Sequence, residues 1–429
     1  MKTRIVSVRA RQIWDSRGHP TVEADVRLEG GAMGRAAAPA GASRGKREAI
    51  DLRDGGEKFG GQGVDRAVAN VNGEIAQALM GLDAADQRRI DDVLAGLDGT
   101  ESFSRLGGNA TVAVSLAALD AAARAEGVSR WRHLRGGAPA RLPLPEVQIF
   151  GGGAHAGRRT DVQDFMVMVP GAPSVRRAFE ITAEIYHAAG RLMRDAGQLA
   201  GVADEGGWWP NFASNEDALT ALTRAIEQAG YRPGEDVFIS LDIAASEFHR
   251  DGSYNLGLDN RAIGTTELLE ILADWCARFP ILSIEDPVRE DDTEGMASAT
   301  AMLGRRAQIV GDDFLVTNAA RVTAAASARA CTCVLVKVNQ AGTVSRAKEA
   351  LDAARRAGLS AIVSARSGET EDTSIAHLAV GWDAGQIKVG SFARSERMAK
   401  WNELLRIEEE LGDKAGFAGW NGLSKALRR

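Results

Sequence analysis

The chain has 429 residues, with 45% hydrophobic and 26% charged residues and a net charge of −6. That length holds two domains with their own cores, and the acidic balance argues against a nucleic-acid or anionic-membrane surface. No run approaches the roughly 18 consecutive apolar residues of a membrane span, and the start MKTRIVSVRARQ has no apolar leader, so a cytoplasmic location is expected.

In chain order, TVEADVRLEG (21–30) alternates apolar and polar residues and predicts a strand closed by a Gly-Gly turn. GVDRAVANVNGEIAQALMGL (63–82) and NATVAVSLAALDAAARAEG (109–127) predict helices, the second apolar enough to be buried. GGAPARLPLP (136–145) is Gly/Pro punctuation. It predicts a boundary between an N-terminal α+β domain over 1–135 and a C-terminal domain over 136–429.

After the boundary, short apolar strands alternate with amphipathic helices. The strands are VFISLDIA (237–244), ILSIEDP (281–287), QIVGDDF (308–314), CVLVKVNQ (333–340), SAIVSAR (360–366) and GQIKVG (385–390). Two more, near 146–150 and 165–169, bring the count to eight. The pattern predicts an α/β fold with a buried parallel sheet, closed as a (β/α)8 barrel or, alternatively, open and doubly wound. Cys276, Cys331 and Cys333 are too few for a disulfide framework and suit a reducing compartment. The CTC at 331–333 reads as strand packing.

The strands finish on ionisable residues: Asp242, Glu285, Asp312, Lys337 and Lys388. Such groups are costly to bury without a role. In a barrel their ends open on one face, where active sites sit. Three carboxylates are hard oxygen ligands suited to Mg²⁺. A lysine beside a second lysine and a cation is expected to lose its proton more easily, making Lys337 a candidate base.

DSRGHPTVEA (15–24), DEGG (204–207), SEF (246–248), SIEDP (283–287), GDD (311–313), KVNQAGT (337–343), RSGETEDT (366–373), GQIKVG (385–390) and ARSER (393–397) together resemble the enolase family, nearly end to end. The resemblance implies an enolase-type modified TIM barrel, whose first strands are not all parallel, behind an N-terminal α+β domain. It implies a homodimer, with Arg11 facing Glu396 and Glu23 facing Arg406 across subunits. It implies two Mg²⁺ ions per site, the second binding with substrate. Asp242, Glu285 and Asp312 match the ligands of the first ion and Ser43 a ligand of the second. Lys337 matches the base and Glu205 the acid. Lys388 and Gln163 match residues at the substrate carboxylate, and Arg366 and Ser367 the phosphate binders. His155, in the glycine-rich run FGGGAHAG, matches a lid histidine.

The chain departs from the family pattern at several of these places. Ala365 stands where the family has an active-site histidine, and Asp164 where it has a catalytic glutamate. Ala40 and Arg44 replace the serine and threonine of the first loop, and Gly151 replaces an asparagine. Ala203 replaces a glycine and His19 an asparagine. Arg158, Arg159, Trp208 and Trp209 are unusual additions. Arginines bind carboxylates and phosphates bidentately, and tryptophan stacks on bases, although paired tryptophans also simply pack. These changes predict a substrate larger and more anionic than 2-phosphoglycerate. The expectation is an enolase-type lyase that takes a phosphorylated three-carbon acid and a cytidylylated phosphonoformate, as in phosphonate and phosphinate antibiotic biosynthesis. The competing expectations are a glycolytic enolase and an inactive scaffold.

Overall fold

The computed structural model describes residues 2–42 and 45–428. At the N-terminal end, strands β1 (Ile5–Trp14), β2 (Pro20–Leu28) and β3 (Met33–Ala37) form an antiparallel sheet. The alternation in β2 puts Val22, Ala24, Val26 and Leu28 on the buried face. Helix α1 (Gly108–Glu126) packs on that face, and Gly108–Ala123 is buried throughout. The run predicted as a helix over 63–82 forms one over residues 65–79, with a π turn at Val71–Ile75 around Gly73. On the outer face of the sheet, Arg11 pairs with Glu23 and Asp25 of its own chain.

Eight strands among the described residues close into a barrel: β4 (Leu144–Gly151), β5 (Asp164–Met168), β6 (Phe238–Asp242), β7 (Ile281–Glu285), β8 (Gln308–Gly311), β9 (Cys333–Val336), β10 (Ser360–Ser364) and β11 (Gly385–Gly390). β11 pairs back onto β4 in parallel. β5 runs antiparallel to both β4 and β6, and the remaining pairs are parallel. This excludes the open doubly wound sheet. The strands are buried on both faces, which explains their continuous apolar sequence. Several stop earlier than predicted. Asp312, Lys337 and Arg366 lie just past β8, β9 and β10, where the chain turns outward.

Side chains two apart on a strand face the same side, so the barrel interior is layered. Beneath Asp242, Glu285, Lys388 and Gln148 lie Ser240, Ser283, Gln386 and Glu146, all at most 1% exposed. Glu146 accepts from Ser240 Oγ at 2.9 Å. Gln308 Nε2 donates to Ser283 Oγ (3.0 Å) and Gln386 Oε1 (2.8 Å), with Glu146 Oε1 at 3.3 Å. Barrel interiors are dominated by branched apolar residues, so this polar layer supports the mouth by hydrogen bonds as well as by packing. Among the described residues, no helix is long and apolar enough to cross a membrane.

Candidate active site

Register fixes the carboxylates. Asp242 ends β6 opposite Glu285 at the end of β7, and Asp164 begins β5 opposite Asp242. Asp312 follows Gly311 at the end of β8. Lys388 lies within β11, aligned with Ser364 and Glu146. Its ammonium donates to Asp242 Oδ2 and Glu285 Oε2, both at 2.8 Å, and lies 3.6 Å from Asp164 Oδ2. Lys337 Nζ pairs with Asp312. Gln163 donates to Asp242 Oδ2 at 3.0 Å, and Gln340 to Asp312 Oδ1 at 2.9 Å.

This half of the site carries surplus negative charge. Burial, then Asp242, then Asp312 push the Glu285 carboxyl well above its usual range, against the pull of Lys388. Glu285 Oε1 is buried with no hydrogen-bond partner. An orphaned carboxylate oxygen among hard oxygen donors fits a divalent cation such as Mg²⁺. Among the described residues, the closest-set trios of possible ligand atoms are Asp286, Asp312 and Asp313, and His155, Asp164 and Glu205. Asp242 and Glu285 are instead bridged by Lys388. Ser43 and Arg44 lie outside the described residues.

The carboxylates around Lys337 oppose loss of its proton. Burial lowers its pKa, and Arg366 and Lys388 lower it further, yet Asp312 and Glu285 leave it raised. The contact with Asp312 outweighs the second lysine, so Lys337 is protonated in this arrangement.

On the opposite wall one histidine faces two carboxylates, and Asp164 Oδ2 is also buried without a hydrogen-bond partner. His155 sits in a turn (Gly153–Ala156) with Nδ1 3.3 Å from Asp164 Oδ1 and Nε2 3.9 Å from Glu205 Oε1. Burial works against the imidazolium, but Glu205 and Asp164 raise its pKa to about 9. Burial likewise opposes ionisation of Asp164, yet His155, Lys388 and Gln148 bring it to about 2. Gln148 spans the gap by donating to Asp164 and accepting from Gly207 N–H. The Glu205 loop is fixed by Ser391 N–H donating to Glu205 O. Gly390 permits that approach: at φ +119, a Cβ there would lie 2.7 Å from Glu205 O.

Arg366 forms a buried, two-pronged pair with Glu48, at 2.8 and 3.2 Å. Ser367 Oγ accepts from Ala42 N–H at 2.6 Å, which ties the first loop to β10. His155, Gln163, Asp164, Glu205, Asp242, Lys337, Ala365, Arg366, Ser367 and Lys388 all line one small pocket of about 20 Å³. That is room for about one water, so the space expected beside Ala365 is not open in this arrangement.

One expectation is corrected here. Arg158 and Arg159 do not enter the cavity. Arg158 donates to Glu247 O and Oε2 (3.0 and 3.1 Å), and Arg159 to Asn211 Oδ1 (2.7 Å). They tie the His155 loop down at both sides, because nearby acceptors lie outside the barrel. Trp208 is packing: it stacks on Tyr186 at 4.6 Å and donates to Tyr186 O. Trp209 lies under the His155 loop, where a Cβ on Gly157 would come within 3.2 Å of its ring.

Sequence reasoning overlooked Glu48, Gln340, Gln148 and Glu146. Glu146 had a readable signal, since it is a lone charge in the apolar run LPLPEVQIFG. Glu48 and Gln340 had none, because their partners lie 318 and 28 residues away. Comparison with known families gives two matches that together span most of the chain. Residues 5–134 match the model of the enolase N-terminal domain, and residues 139–426 that of the enolase C-terminal TIM barrel domain.

Proposed function

The chain belongs to the enolase family of Mg²⁺-dependent enzymes, and we propose that it removes the proton beside the carboxylate of a 2-phosphoglycerate-like acid, with Lys337 as base. The observation that supports this reading is the single cavity lined by Lys337, Glu205, Lys388 and Arg366. A base, an acid and two cations for a carboxylate and a phosphate then face one small volume. Asp242, Glu285 and Asp312 are the proposed Mg²⁺ ligands, with Ser43 for a second ion. Bound there, Mg²⁺ would offset the carboxylate charge, favouring neutral Lys337 and stabilising charge that develops on the substrate.

In this reading Lys388 and Gln163 hold the substrate carboxylate. Arg366, Ser367 and Arg44 meet its phosphate or an added anionic group. Glu205 delivers a proton on the side away from Lys337, and Asp164 keeps His155 charged and oriented. The working form is proposed to be a cytoplasmic homodimer, which sedimentation would test.

The specific reading is a carboxyphosphonoenolpyruvate synthase, which joins nucleotide-activated phosphonoformate to the three-carbon skeleton. It is supported by Ala365, which leaves a methyl group on the cavity wall where the family has a histidine. A second reading is glycolytic conversion of 2-phosphoglycerate to phosphoenolpyruvate, which the same Lys337, Glu205, Lys388 and Arg366 set would serve. Incubation with Mg²⁺, 2-phosphoglycerate and CMP-phosphonoformate separates them. The synthase reading expects consumption of the nucleotide and a carboxyphosphono product. Rapid phosphoenolpyruvate formation with the nucleotide untouched would leave only the glycolytic reading.

A further inference from the structure

A second cavity, of about 690 Å³, opens between the N-terminal domain and the barrel. Its volume lies in the range of small-molecule sites. Arg47 and Ser102 form one side; Thr317, Asn318 and Arg321 form the other, with Gln340 at the back.

The cleft lining is net positive, with Arg47, Arg321 and Arg346 against Glu101 and Glu349. Arg321 is half-buried and donates through Nε to Phe314 O at 3.0 Å. Burial and then Arg47 depress its pKa, with only Glu290 acting the other way. Glu290 is itself engaged by Lys46, at 3.3 Å. Arg47 is exposed and has no hydrogen bond or ion pair with the described residues. Arg346, on the same wall, is held by Glu101 O (2.8 Å) and lies over the Phe103 ring at 4.4 Å. Of the two lining carboxylates, Glu349 is paired with Arg88 and Glu101 is exposed. The first turn of helix α2 (Ala319–Ser327) also faces the cleft and adds its partial positive charge. Like charges held together cost free energy that an anion between them would recover. The alanines among the lining residues offer apolar surface for an organic group beside it.

The back wall joins the cleft to the active site. Thr317 Oγ1 accepts from Lys337 N–H at 2.9 Å and donates to Gln340 Oε1 at 2.6 Å. Gln340 Nε2 in turn donates to Asp312. A ligand against Thr317 and Gln340 therefore bears on the residues that set Lys337 and Asp312.

We propose that this interdomain cleft binds a phosphate ester of nucleotide size, its phosphate held between Arg47 and Arg321. The site is separate from the catalytic cavity and does not depend on which reaction occurs there. Titration calorimetry of the full chain with CMP, and with cytidine as the uncharged control, tests it. CMP should bind, more weakly as salt rises, and cytidine should not. Arg47→Ala and Arg321→Lys should each weaken CMP about tenfold, while 2-phosphoglycerate binding is unchanged. Because Arg47 is exposed, its replacement should leave the thermal midpoint in place, which separates lost binding from lost folding. Absence of CMP binding, binding undiminished from the wild type in both variants, or full displacement of CMP by 2-phosphoglycerate would overturn the proposal.

Discussion

On the β6–β8 side of the mouth, Asp242, Glu285 and Asp312 leave Glu285 with a buried oxygen that nothing satisfies. On the β4–β5 side, His155 lies between Asp164 and Glu205 and Gln148 donates to Asp164, whose Oδ2 is likewise buried without a hydrogen-bond partner. The first wall holds its three carboxylates with two lysines, whereas the second holds its two with one histidine, whose charge changes with pH. The contrast teaches that the two walls answer to different perturbations. The cation side should respond to metal and to charge removal, the His155 side to pH and to whatever holds the loop.

The sharpest test of the cation side is Lys337→Ala. Loss of a general base typically costs about 10²–10⁴-fold. Solvent exchange of the substrate's C2 proton should fall accordingly, while Mg²⁺ still stabilises the fold. Retained exchange would move the base elsewhere. Mg²⁺ itself should raise the thermal midpoint, by about 2.7 kcal/mol of stability at a hundredfold excess over its dissociation constant. Glu285→Gln should remove most of that gain, since it deletes a charge but keeps the shape. Equal gains in both proteins would mean that the ion sits elsewhere, for instance among Asp286, Asp312 and Asp313.

The His155 side makes an opposite prediction about pH. The folded-state pKa of His155 is raised, from 6.5 to about 9. Its ion pairing therefore contributes fully below about 6.5 and is lost as pH rises through about 9. Histidine NMR shifts should show a ring still charged at pH 8. Asp164→Asn should lower that titration and cost about 10²-fold in turnover. An unmoved titration would show that Glu205 alone holds the charge.

The order of strands and the residues at their ends were legible because periodicity and punctuation are local. Asp242, Glu285, Asp312, Lys337 and Lys388 came from that reading alone. What the sequence hid was pairing at a distance. It could not show that Lys388 bridges Asp242 and Glu285, that Glu48 holds Arg366, or that Asp312 outweighs Lys388 in setting Lys337. Residue type also misled in one place. Arg158 and Arg159 look like ligands for an anion, yet carbonyl and amide acceptors a few ångströms away claim them first.

Those two arginines give the smallest and most discriminating test. The Arg158–Glu247 pair is substantially exposed, at 54% and 28%, so it is worth only about 0.2–1 kcal/mol. That shifts opening of the His155 loop by no more than about fivefold. Arg158 also holds a left-handed backbone (φ 60), a conformation that costs a side-chain-bearing residue about 1–2 kcal/mol. Arg158→Ala removes the tie and keeps the strain, so it should open the loop most. Arg158→Gly removes both, so its effect should be smaller. Trp209 lies against Gly157 of the same loop, so its fluorescence should report the difference, with Trp209→Phe as the control. Substrate should enter fastest in Ala, then the wild type, with Gly at or below the wild type, because the strain relieved by glycine is at least as large as the tie it loses. If the Ala variant matches the wild type, the loop is held by the His155 ion pairs instead, and the His155 wall is also the latch.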